Sequence, residues 1–513
     1  MIVVFNFGGQ YAHLIARRVR ELDVKSELVP PNISAQEIKK LSPQALIFSG
    51  SPRSCYEKDA PRVDQKIYKL TIPILGICYG HQLMAYQLGG KVSSHSLKQF
   101  GKETLTIKRS NLFSSINGSQ TVWFSHGDHV DKLPKGFKTI GSTKSAKIAA
   151  MENANKKLYG IQFHPEVTHT QNGTQILTNF LFKIAKVKKD WNISEVKKEI
   201  IANLRKQIGN DRVLMAVSGG VDSTVSATLL KEATPKNLYL VFIDTGLLRN
   251  YDLSDLKKVA KAVKFENFKT VNASKRFLST LKEVVDPEEK RKRIASLYFK
   301  VLEEEAKKIG SGLPGDRRIK FLGQGTIYPD RIESAKTSKH ADKIKSHHNV
   351  TLPQGLKLKV VEPLAELYKD EVRKLGKLLG IPDEFLNRHP FPGPGLAIRI
   401  LGEVTEERLN ILRQVDEIFI SQLKASNIYI KEAQSLAALF PIKSVGVMGD
   451  ARTYSYIVTL RSVETQDFMT ADWSKLPYEL LEKVSSKIVN EVRGVNRVVY
   501  DITQKPPATI EYE

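Results

Sequence analysis

The chain of 513 residues is 41% hydrophobic and 26% charged, and it carries a formal net charge of +24 at pH 7. Its length exceeds that of an ordinary single domain, so several domains are expected, and no apolar run is long enough to span a bilayer. The two cysteines, Cys55 and Cys78, are too few for a disulfide framework and favour a reducing, cytoplasmic location. The positive charge suits anionic ligands such as nucleotides, but neither an aromatic-interleaved basic tract nor a zinc-ligand cluster predicts nucleic-acid binding.

Residues 1–186 are predicted to form a first α/β domain, because short apolar runs alternate with helical patterns. The strands are indicated by the runs IVVFNF, ALIFSG, IPILGI, TLTIKR and LYGIQF. The helices are indicated by YAHLIARRVREL and by HQLMAYQLGG, which ends in a glycine pair. The basic stretch from Lys186 to Trp191 is interpreted as a linker.

A glycine-x-nucleophile-x-glycine motif, Gly76-Ile77-Cys78-Tyr79-Gly80, stands between a predicted strand and a predicted helix. This order is typical of a nucleophile elbow, a tight turn that exposes the reactive side chain. The N-terminus of the following helix would favour the thiolate form of the cysteine. On this motif alone, a buried structural cysteine remains the alternative.

His164 and Glu166 stand two residues apart at the end of the predicted strand LYGIQF. In extended chain their side chains project to the same face, so Glu166 can orient the imidazole ring. Together with the thiol of Cys78 they supply a nucleophile, a general base and an orienting carboxylate for acyl transfer. The combination favours a catalytic Cys78 over a structural one.

The elbow and the His-Pro-Glu sequence resemble those of the class I glutamine amidotransferases, as do the stretches FGGQY and FSHGDHV. The resemblance implies that glutamine is cleaved to glutamate and ammonia through a thioester on Cys78. It also places Gln82, His126 and Asp128 near bound glutamine. Cys55 lacks such a context and is interpreted as structural or incidental.

The same resemblance implies an oxyanion hole made by the backbone N–H groups of Ser51 and Tyr79. The family usually has Ser-Gly-Gly-Pro where this chain has Ser49-Gly50-Ser51-Pro52. A serine lacks the freedom of glycine at positive φ. The departure therefore bears on how readily this loop forms the hole.

Residues 187–388 are predicted to form a second α/β domain that begins with the strands RVLMAVS and LYLVFID. The string AVSGGVDST joins the first of these strands to a helical pattern, and its glycines, hydroxyls and helix N-terminus can direct donors at phosphate oxygens. It is not the lysine-containing loop of γ-phosphate chemistry. It resembles the pyrophosphatase loop of N-type ATP enzymes, which adenylate a carbonyl oxygen. The resemblance implies ATP contacts from Ser218, Gly219, Gly220, Val221, Asp222 and Ser223.

Two further polar stretches are assigned to the same site. In GQGTIYPDRIES, Asp330 and Glu333 would lie one helical turn apart and, with substrate phosphates, would suit Mg²⁺. A solvated acidic turn is the alternative. In IKSHHNV, Lys345, His347 and His348 are interpreted as a phosphate-contacting lid, because no matching set of cysteines and histidines supports a metal cluster.

Residues 389–513 are predicted to form a smaller α+β domain. It opens with the turn-rich HPFPGPG, continues with the helical stretch ERLNILRQVDEIFISQL, and contains the strand patterns SVGVMG, SYIVTLRSV and RVVYDIT. The fold class is therefore two α/β domains followed by a smaller α+β domain.

The order of amidotransferase, pyrophosphatase loop and the ending KPPATIEYE resembles the GMP synthetase (glutamine-hydrolysing) family over essentially the full chain. The resemblance implies that xanthosine monophosphate (XMP) is adenylated by ATP with Mg²⁺ and release of pyrophosphate, and that ammonia then displaces AMP to give GMP. It implies XMP contacts from Arg291, Lys505 and Glu511. It also implies a homodimer formed through the third domain.

Two other functions stay open at this point. Another N-type ATP pyrophosphatase, such as a tRNA-modifying enzyme, would suit the basic charge, but that class lacks a fused class I amidotransferase. A degenerate nucleotide-binding regulator would be expected to have lost a triad or loop residue, whereas all of those residues are present. No membrane or nucleic-acid partner is expected.

Overall fold

The computed structural model describes residues 1–9, 11–311, 319–330, 358–465, 468 and 470–513, without the side chains of residues 95–100, Ser311 and Met448. The described residues form two compact units, one of residues 1–192 and one that begins at residue 193. We call them unit 1 and unit 2. In the described ranges, none of the helices combines the length and the apolar composition needed to cross a membrane.

Unit 1 is built around a nine-stranded sheet with the order β2-β1-β3-β4-β9-β8-β7-β5-β6. Its strands are β1 (Ile2–Phe5), β2 (Ser26–Val29), β3 (Ala45–Phe48), β4 (Ile74–Ile77), β5 (Lys91–Ile107), β6 (Gln120–Lys132), β7 (Lys138–Ser142), β8 (Ala150–Asn153) and β9 (Leu158–Ile161). The first five strands of this order are parallel. Four of them, β1, β3, β4 and β9, are buried along their whole length, because a parallel sheet is covered on both faces.

The helices of unit 1 are α1 (Ala12–Glu21), α2 (Ala35–Leu41), α3 (Tyr79–Gln87) and α4 (Gly173–Thr178), and a π-helical turn follows at Asn179–Ile184. The predicted linker is part of this unit. The backbone N–H of Lys25 donates to the carboxylate of Asp190 at 2.6 Å, and the guanidinium of Arg20 lies 4.5 Å from the centre of the Trp191 ring. These contacts attach the segment to the edge of the sheet.

Unit 2 contains a parallel five-stranded sheet with the order β12-β11-β10-β13-β14. Its strands are β10 (Arg212–Ala216), β11 (Leu238–Asp244), β12 (Asn267–Asn272), β13 (Ile319–Gly323) and β14 (Lys359–Val361). The chain fills one side of β10 with β11 and β12, then returns to fill the other side with β13 and β14. A topological switch point therefore lies between β10 and β13, which is where open α/β sheets bind their ligands.

The rest of unit 2 combines helices with a second sheet. The helices are α5 (Ile193–Ile208), α6 (Val221–Ala233), α7 (Asp252–Val263), α8 (Ser274–Thr280), α9 (Pro287–Ser311), α10 (Lys369–Leu378), α11 (Asp383–Leu386), α12 (Glu406–Ala425) and α13 (Tyr478–Glu491). The second sheet consists of β15 (Gln434–Met448), β16 (Ala451–Glu464), β17 (Asp472–Trp473) and β18 (Val495–Tyr500). The strands β15 and β16 form a long antiparallel hairpin, and β18 runs parallel to β16.

One hydrophobic core spans both parts of unit 2. Leu214 and Val241 of the parallel sheet belong to the same buried cluster as Leu412 and Val458, which lie beyond residue 388. Apolar residues on both sides of that position are thus removed from water together. The proposed boundary at residue 388, like the one at residue 186, stays a prediction.

Candidate functional site

The elbow of unit 1 places Cys78 between β4 and α3. Cys78 has φ 55° and ψ −107°, a sparsely populated backbone conformation for a residue with a side chain. A Cβ atom added to Gly76 would lie 2.5 Å from the carbonyl oxygen of Gly80, and one added to Gly80 would lie 2.4 Å from that of Phe48. The two glycines therefore make the tight turn possible.

The predicted triad partners are joined by a hydrogen bond inside unit 1. The Nδ1 atom of His164 lies 2.7 Å from Oε1 of Glu166, and the two side chains are 3% and 0% exposed. The backbone of the pair is tied down as well, because the N–H of His164 donates to the carbonyl of Trp123 at 3.0 Å. Arg18 donates to the backbone carbonyl of Glu166 at 2.9 Å. The imidazole is thus fixed in orientation.

The electrostatics of the triad favour a protonated imidazole. Burial lowers the pKa of His164, but the Glu166 carboxylate and the neighbouring Cys78 outweigh this effect and raise the pKa to about 10. An imidazolium beside the sulfur stabilises a thiolate, which is the nucleophilic form of cysteine. By contrast, burial and the nearby Asp128 raise the pKa of Cys55 to about 12. Of the two thiols, Cys78 alone has a reactive environment.

The predicted oxyanion loop lies against the triad. A Cβ atom added to Gly50 would lie 3.5 Å from Cε1 of His164 and 3.9 Å from Cβ of Cys78. Tyr79 is the first residue of α3, where a backbone N–H has no partner within the helix. Ser51 has no positive φ in this structure, so its side chain is compatible with the observed backbone. Its hydroxyl accepts a hydrogen bond from the N–H of Arg53 at 3.3 Å, which closes the turn.

The residues assigned to glutamine binding gather on and beside β6. The amide of Gln82 donates to the backbone carbonyl of Asp128 at 2.9 Å, and Tyr56 donates to the carboxylate of Asp128 at 3.1 Å. His126 is buried, and within the described part of the chain its ring nitrogens make no hydrogen bond. Burial lowers its pKa to about 3, so the ring is neutral. The thiol of Cys78 lies 3.8 Å from the carbonyl oxygen of Ser125 on the same strand.

Two contributors to this site were not assigned from the sequence. The ring of Tyr11 packs edge-on against His164 with 4.9 Å between ring centres. A Cβ atom added to Gly9 would lie 2.4 Å from the carbonyl oxygen of Gly50, so the oxyanion loop packs directly on this glycine. Both residues belong to the stretch FGGQY, whose pattern marked the family but not these contacts.

The phosphate loop of unit 2 has the predicted strand–loop–helix form. It connects β10 to α6 at the switch point, and Gly219 adopts φ +78°, which glycine tolerates. The hydroxyl of Ser223 accepts from the N–H of Ser218 at 3.3 Å and donates to the carbonyl of Gly220 at 3.0 Å. These bonds shape the loop around the N-terminus of α6, where phosphate oxygens bind well.

Three distant residues complete this loop. Lys369 forms an ion pair of 2.6 Å with the carboxylate of Asp222. Arg388 donates to the backbone carbonyl of Gly219 at 3.2 Å. A Cβ atom added to Gly325 would lie 3.1 Å from the backbone nitrogen of Ser223, so the segment after β13 packs on the loop.

Lys369 was missed from the sequence although a signal exists. It is the first residue of α10, and a cation at a helix N-terminus opposes the helix dipole. A lysine in that position is therefore a candidate for binding an anion.

The predicted metal and lid residues are only partly described. Asp330 accepts a hydrogen bond from the N–H of Ile327 at 3.3 Å. Glu333, Lys345, His347 and His348 lie outside the described residues. In the ranges that are described, no group of three or more histidine, cysteine, aspartate or glutamate side chains could hold a metal ion.

The three residues assigned to XMP are all engaged within unit 2. The carboxylate of Glu511 accepts from Arg399 at 2.9 and 2.8 Å and from Gln434 at 2.6 Å. Lys505 donates to the backbone carbonyl of Phe468 at 2.6 Å. Arg291 donates to the backbone oxygen of Glu513. The structure thus brings Arg291 next to the segment that carries Glu511.

Comparison with known proteins adds to this geometry. Residues 3–184 match the family described as glutamine amidotransferase class-I, and residues 421–512 match the GMP synthase C terminal domain. A protein of Thermosipho melanesiensis named GMP synthase (glutamine-hydrolyzing) is 51% identical to the chain over 514 residues, which cover 100% of the chain and 99% of that protein. Proteins of the same name from Carboxydothermus hydrogenoformans and Clostridium novyi are 51% and 50% identical over the same shares.

Proposed function

The chain belongs to the family of glutamine-hydrolysing GMP synthases, and from this premise we propose how its two units divide the reaction. The enzyme is a ligase that makes GMP with glutamine as the nitrogen donor. Unit 1 releases ammonia from glutamine, and unit 2 activates XMP with ATP. The match over the whole chain leaves the tRNA-modifying enzyme and the degenerate regulator without support.

The single observation that carries the glutaminase assignment is the 2.7 Å pair of His164 and Glu166, with Cys78 on its elbow. The thiolate of Cys78 attacks the carboxamide carbon of glutamine. His164 gives its proton to the departing ammonia, which leaves a thioester on the sulfur. His164 then takes a proton from water as the water attacks the thioester, while Glu166 keeps the ring oriented.

The negative charge on the glutamine oxygen is held by backbone donors. The N–H groups of Ser51 and Tyr79 are assigned to this oxyanion hole, because the Gly50 loop lies against Cys78 and His164 and α3 begins directly after Cys78. Such donors are worth about 2.7–4 kcal/mol each in well-studied enzymes. The hole therefore supplies a large part of the rate of this step.

Unit 2 activates XMP at the switch point of its parallel sheet. The loop from Ser218 to Ser223 holds the β- and γ-phosphates of ATP at the N-terminus of α6. A carbonyl oxygen of XMP attacks the α-phosphorus, pyrophosphate leaves, and ammonia then displaces AMP from the adenylated carbon to give GMP. Lys369 lies 2.6 Å from Asp222 and is placed to balance the charge of the pyrophosphate.

Mg²⁺ is proposed as the ion that accompanies ATP. The residues present fit it, because the Oδ1 atom of Asp222 is buried and, among the described residues, makes no hydrogen bond. The sequence assigned Asp330 and Glu333 to the ion, and Glu333 lies outside the described residues. Mg²⁺ in such sites needs only one or two carboxylates besides substrate phosphates. When bound, the ion would neutralise negative charge on the phosphate oxygens.

XMP is proposed to bind where α9 meets the tail, which we define as residues 503–513. Arg291 and Lys505 supply positive charge for the nucleotide phosphate. Glu511 uses three of roughly four acceptor positions on its carboxylate for Arg399 and Gln434. One position is left to accept a hydrogen bond from the nucleotide.

A homodimer and a cytoplasmic location are also proposed. On the β15–β16 hairpin, Val445 and Tyr454 stand opposite each other and are 61% and 67% exposed, and Val447 is 73% exposed. Exposed apolar side chains clustered on one face suit a second copy of the chain. Both cysteines are free and buried, which suits a reducing compartment.

Replacement of the nucleophile tests the division of labour. Cys78→Ala is expected to abolish GMP synthesis with glutamine and to leave synthesis with added ammonia close to wild type. Cys55→Ala is the matched control, because this thiol has no part in the reaction. Equal loss of both activities in a folded Cys78→Ala enzyme would contradict the proposal.

A further inference from the structure

A lysine that is fully buried lies beside the predicted XMP ligands. Lys290 is 0% exposed and belongs to α9, immediately before Arg291. A buried ammonium is costly unless hydrogen bonds and an opposite charge compensate it. The partners of this lysine therefore indicate what it does.

The ammonium of Lys290 has three donors, and all three are used. They go to the backbone carbonyls of Ala397 at 3.3 Å and Ile400 at 2.7 Å and to the carboxylate of Glu513. Since no donor is left, Lys290 has none to give a ligand. Its role must be exerted through the groups that it holds.

The three partners belong to two separate segments. Ala397 and Ile400 lie just after the HPFPGPG turn, and Glu513 lies in the tail. The second carboxylate oxygen of Glu513 accepts from the N–H of Gly402 at 3.1 Å. Lys290 thus joins α9, the segment 395–402 and the tail at one point.

Two of the three predicted XMP ligands, Arg291 and Glu511, depend on that junction. Arg291 follows Lys290 on α9 and donates to the backbone oxygen of Glu513. Glu511 stands two residues before Glu513 and pairs with Arg399, which lies inside the segment 395–402 and is 1% exposed. The guanidinium of Arg291 and the carboxylate of Glu511 are therefore placed relative to each other by the same three segments: α9, residues 395–402 and the tail.

We infer that Lys290, through its ion pair with Glu513, is a positioning residue for XMP that holds Arg291 and Glu511 at a fixed separation. The inference rests on the proposed XMP site and adds to it a residue that contacts no substrate. A nucleotide binds more tightly to groups that are already ordered, because less conformational entropy is lost on binding.

The test uses the full-length enzyme with ammonia as nitrogen source. Lys290→Met is expected to raise the KM for XMP by about tenfold or more, because removal of the ammonium leaves the buried carboxylate of Glu513 without its opposite charge. The KM for ATP is expected to change by less than about threefold, since the phosphate loop is held by other residues. Lys292→Met is the matched control, because Lys292 is exposed on the same helix.

Glu513→Gln keeps the size of the side chain and provides a second variant if Lys290→Met does not fold. It is expected to raise the KM for XMP in the same selective way. The double variant Lys290→Met with Glu513→Gln is expected to be no worse than the poorer single variant, because both charges are then removed together. A purely structural role would raise both KM values together.

The inference would be overturned by an unchanged KM for XMP in folded Lys290→Met or folded Glu513→Gln, by equal rises in the KM for XMP and ATP, or by single effects that multiply in the double variant. Glu511→Gln distinguishes a failure of this inference from a failure of the proposed XMP site. If Glu511→Gln leaves the KM for XMP unchanged, the XMP site itself is misplaced. If it raises that KM while Lys290→Met does not, only the positioning role of Lys290 is wrong.

Discussion

Replacement of Glu166 by glutamine tests the electrostatic basis of the glutaminase site. The substitution keeps the size of the side chain and removes the charge that faces Nδ1 of His164 at 2.7 Å. Both side chains are almost completely buried, so solvent does not screen the interaction. The change therefore acts mainly on the proton of the imidazole.

The size of the effect follows from the pKa of His164, which stands at about 10 against an ordinary value of 6.5. At about 1.4 kcal/mol for each pKa unit, this rise corresponds to ~5 kcal/mol in favour of the protonated ring. Burial works in the opposite direction, and Glu166 is the largest of the groups that overcome it. Without the carboxylate, the pKa of His164 is expected to fall by about one unit or more.

Alkylation of Cys78 by iodoacetamide measures the consequence. The wild-type rate is expected to vary little from about pH 6 to pH 9, because His164 stays protonated beside the sulfur over that range. In Glu166→Gln the rate at neutral pH is expected to fall by about tenfold and to rise with pH. Cys55 does not interfere, since burial raises the pKa of its thiol to about 12 and it stays protonated over this range. Glutaminase turnover should fall in parallel, while synthesis from added ammonia should not.

The pH dependence of the unfolding temperature of Glu166→Gln gives a second test, because the direction of the expected change is known. The pKa of His164 is higher in the folded state, so its contribution to stability is complete below about pH 6.5 and is lost as the pH rises through about 10. The unfolding temperature of unit 1 in Glu166→Gln should therefore be lower at neutral pH and less sensitive to alkaline pH.

Glu27→Gln is the control for a simple loss of negative charge, because Glu27 is exposed on β2. It should leave the alkylation profile unchanged. An alkylation rate and pH profile in Glu166→Gln that match those of the wild type would refute the reasoning, since they would show that Glu166 does not hold the proton on His164.

Three further substitutions test the other assignments. Asp222→Ala should lower turnover about a hundredfold with glutamine and with ammonia alike, because the phosphate loop serves both, and retained activity with either source in steady-state kinetics would exclude Asp222 from the ATP site. Ser51→Gly should raise glutaminase activity without XMP and ATP by a few-fold, because glycine lowers the cost of reorienting the loop peptide; unchanged or lower turnover would show that Ser51 is not limiting. Lys505→Met should raise the KM for XMP by about tenfold or more, as expected for a charge-assisted contact worth about 1.5–3 kcal/mol, with little change for ATP, and a wild-type KM for XMP in folded protein would leave Lys505 with a structural role only.

Local pattern was sufficient for the elements whose signal lies within a few residues. The runs around β1, β3, β4, β9, β10 and β11 are apolar enough to predict strands, and the helical pattern ERLNILRQVDEIFISQL corresponds to α12. The elbow was predictable for the same reason. The pairing of His164 with Glu166 was predicted from extended chain, but β9 ends at Ile161 and Glu166 lies in a turn, so a turn and not a strand brings the carboxylate to the ring. The fold class followed from the alternation of these elements.

Less regular strands were missed or shortened. The pattern TLTIKR indicated a short strand, whereas β5 runs from Lys91 to Ile107. The two strands of the hairpin were predicted from SVGVMG and SYIVTLRSV, but β15 begins at Gln434. These segments are polar or lack strict alternation, so they are strands because a partner strand pairs with them and not because of their own composition.

The sequence by itself determined which residues can carry the chemistry: a thiol on a glycine-flanked turn, an imidazole with its carboxylate, and a glycine- and hydroxyl-rich loop before a helix. Only the tertiary structure decided what surrounds them. Lys369 reaches Asp222 across 147 residues, and Lys290 reaches Glu513 across 223 residues. Such pairs depend on the order of the strands in the sheet and on the packing of the common core, which residue spacing along the chain does not specify. The periodicity of apolar residues indicates which face of a helix or strand is buried. It does not indicate which other element packs against that face, because that is decided only when the whole core forms.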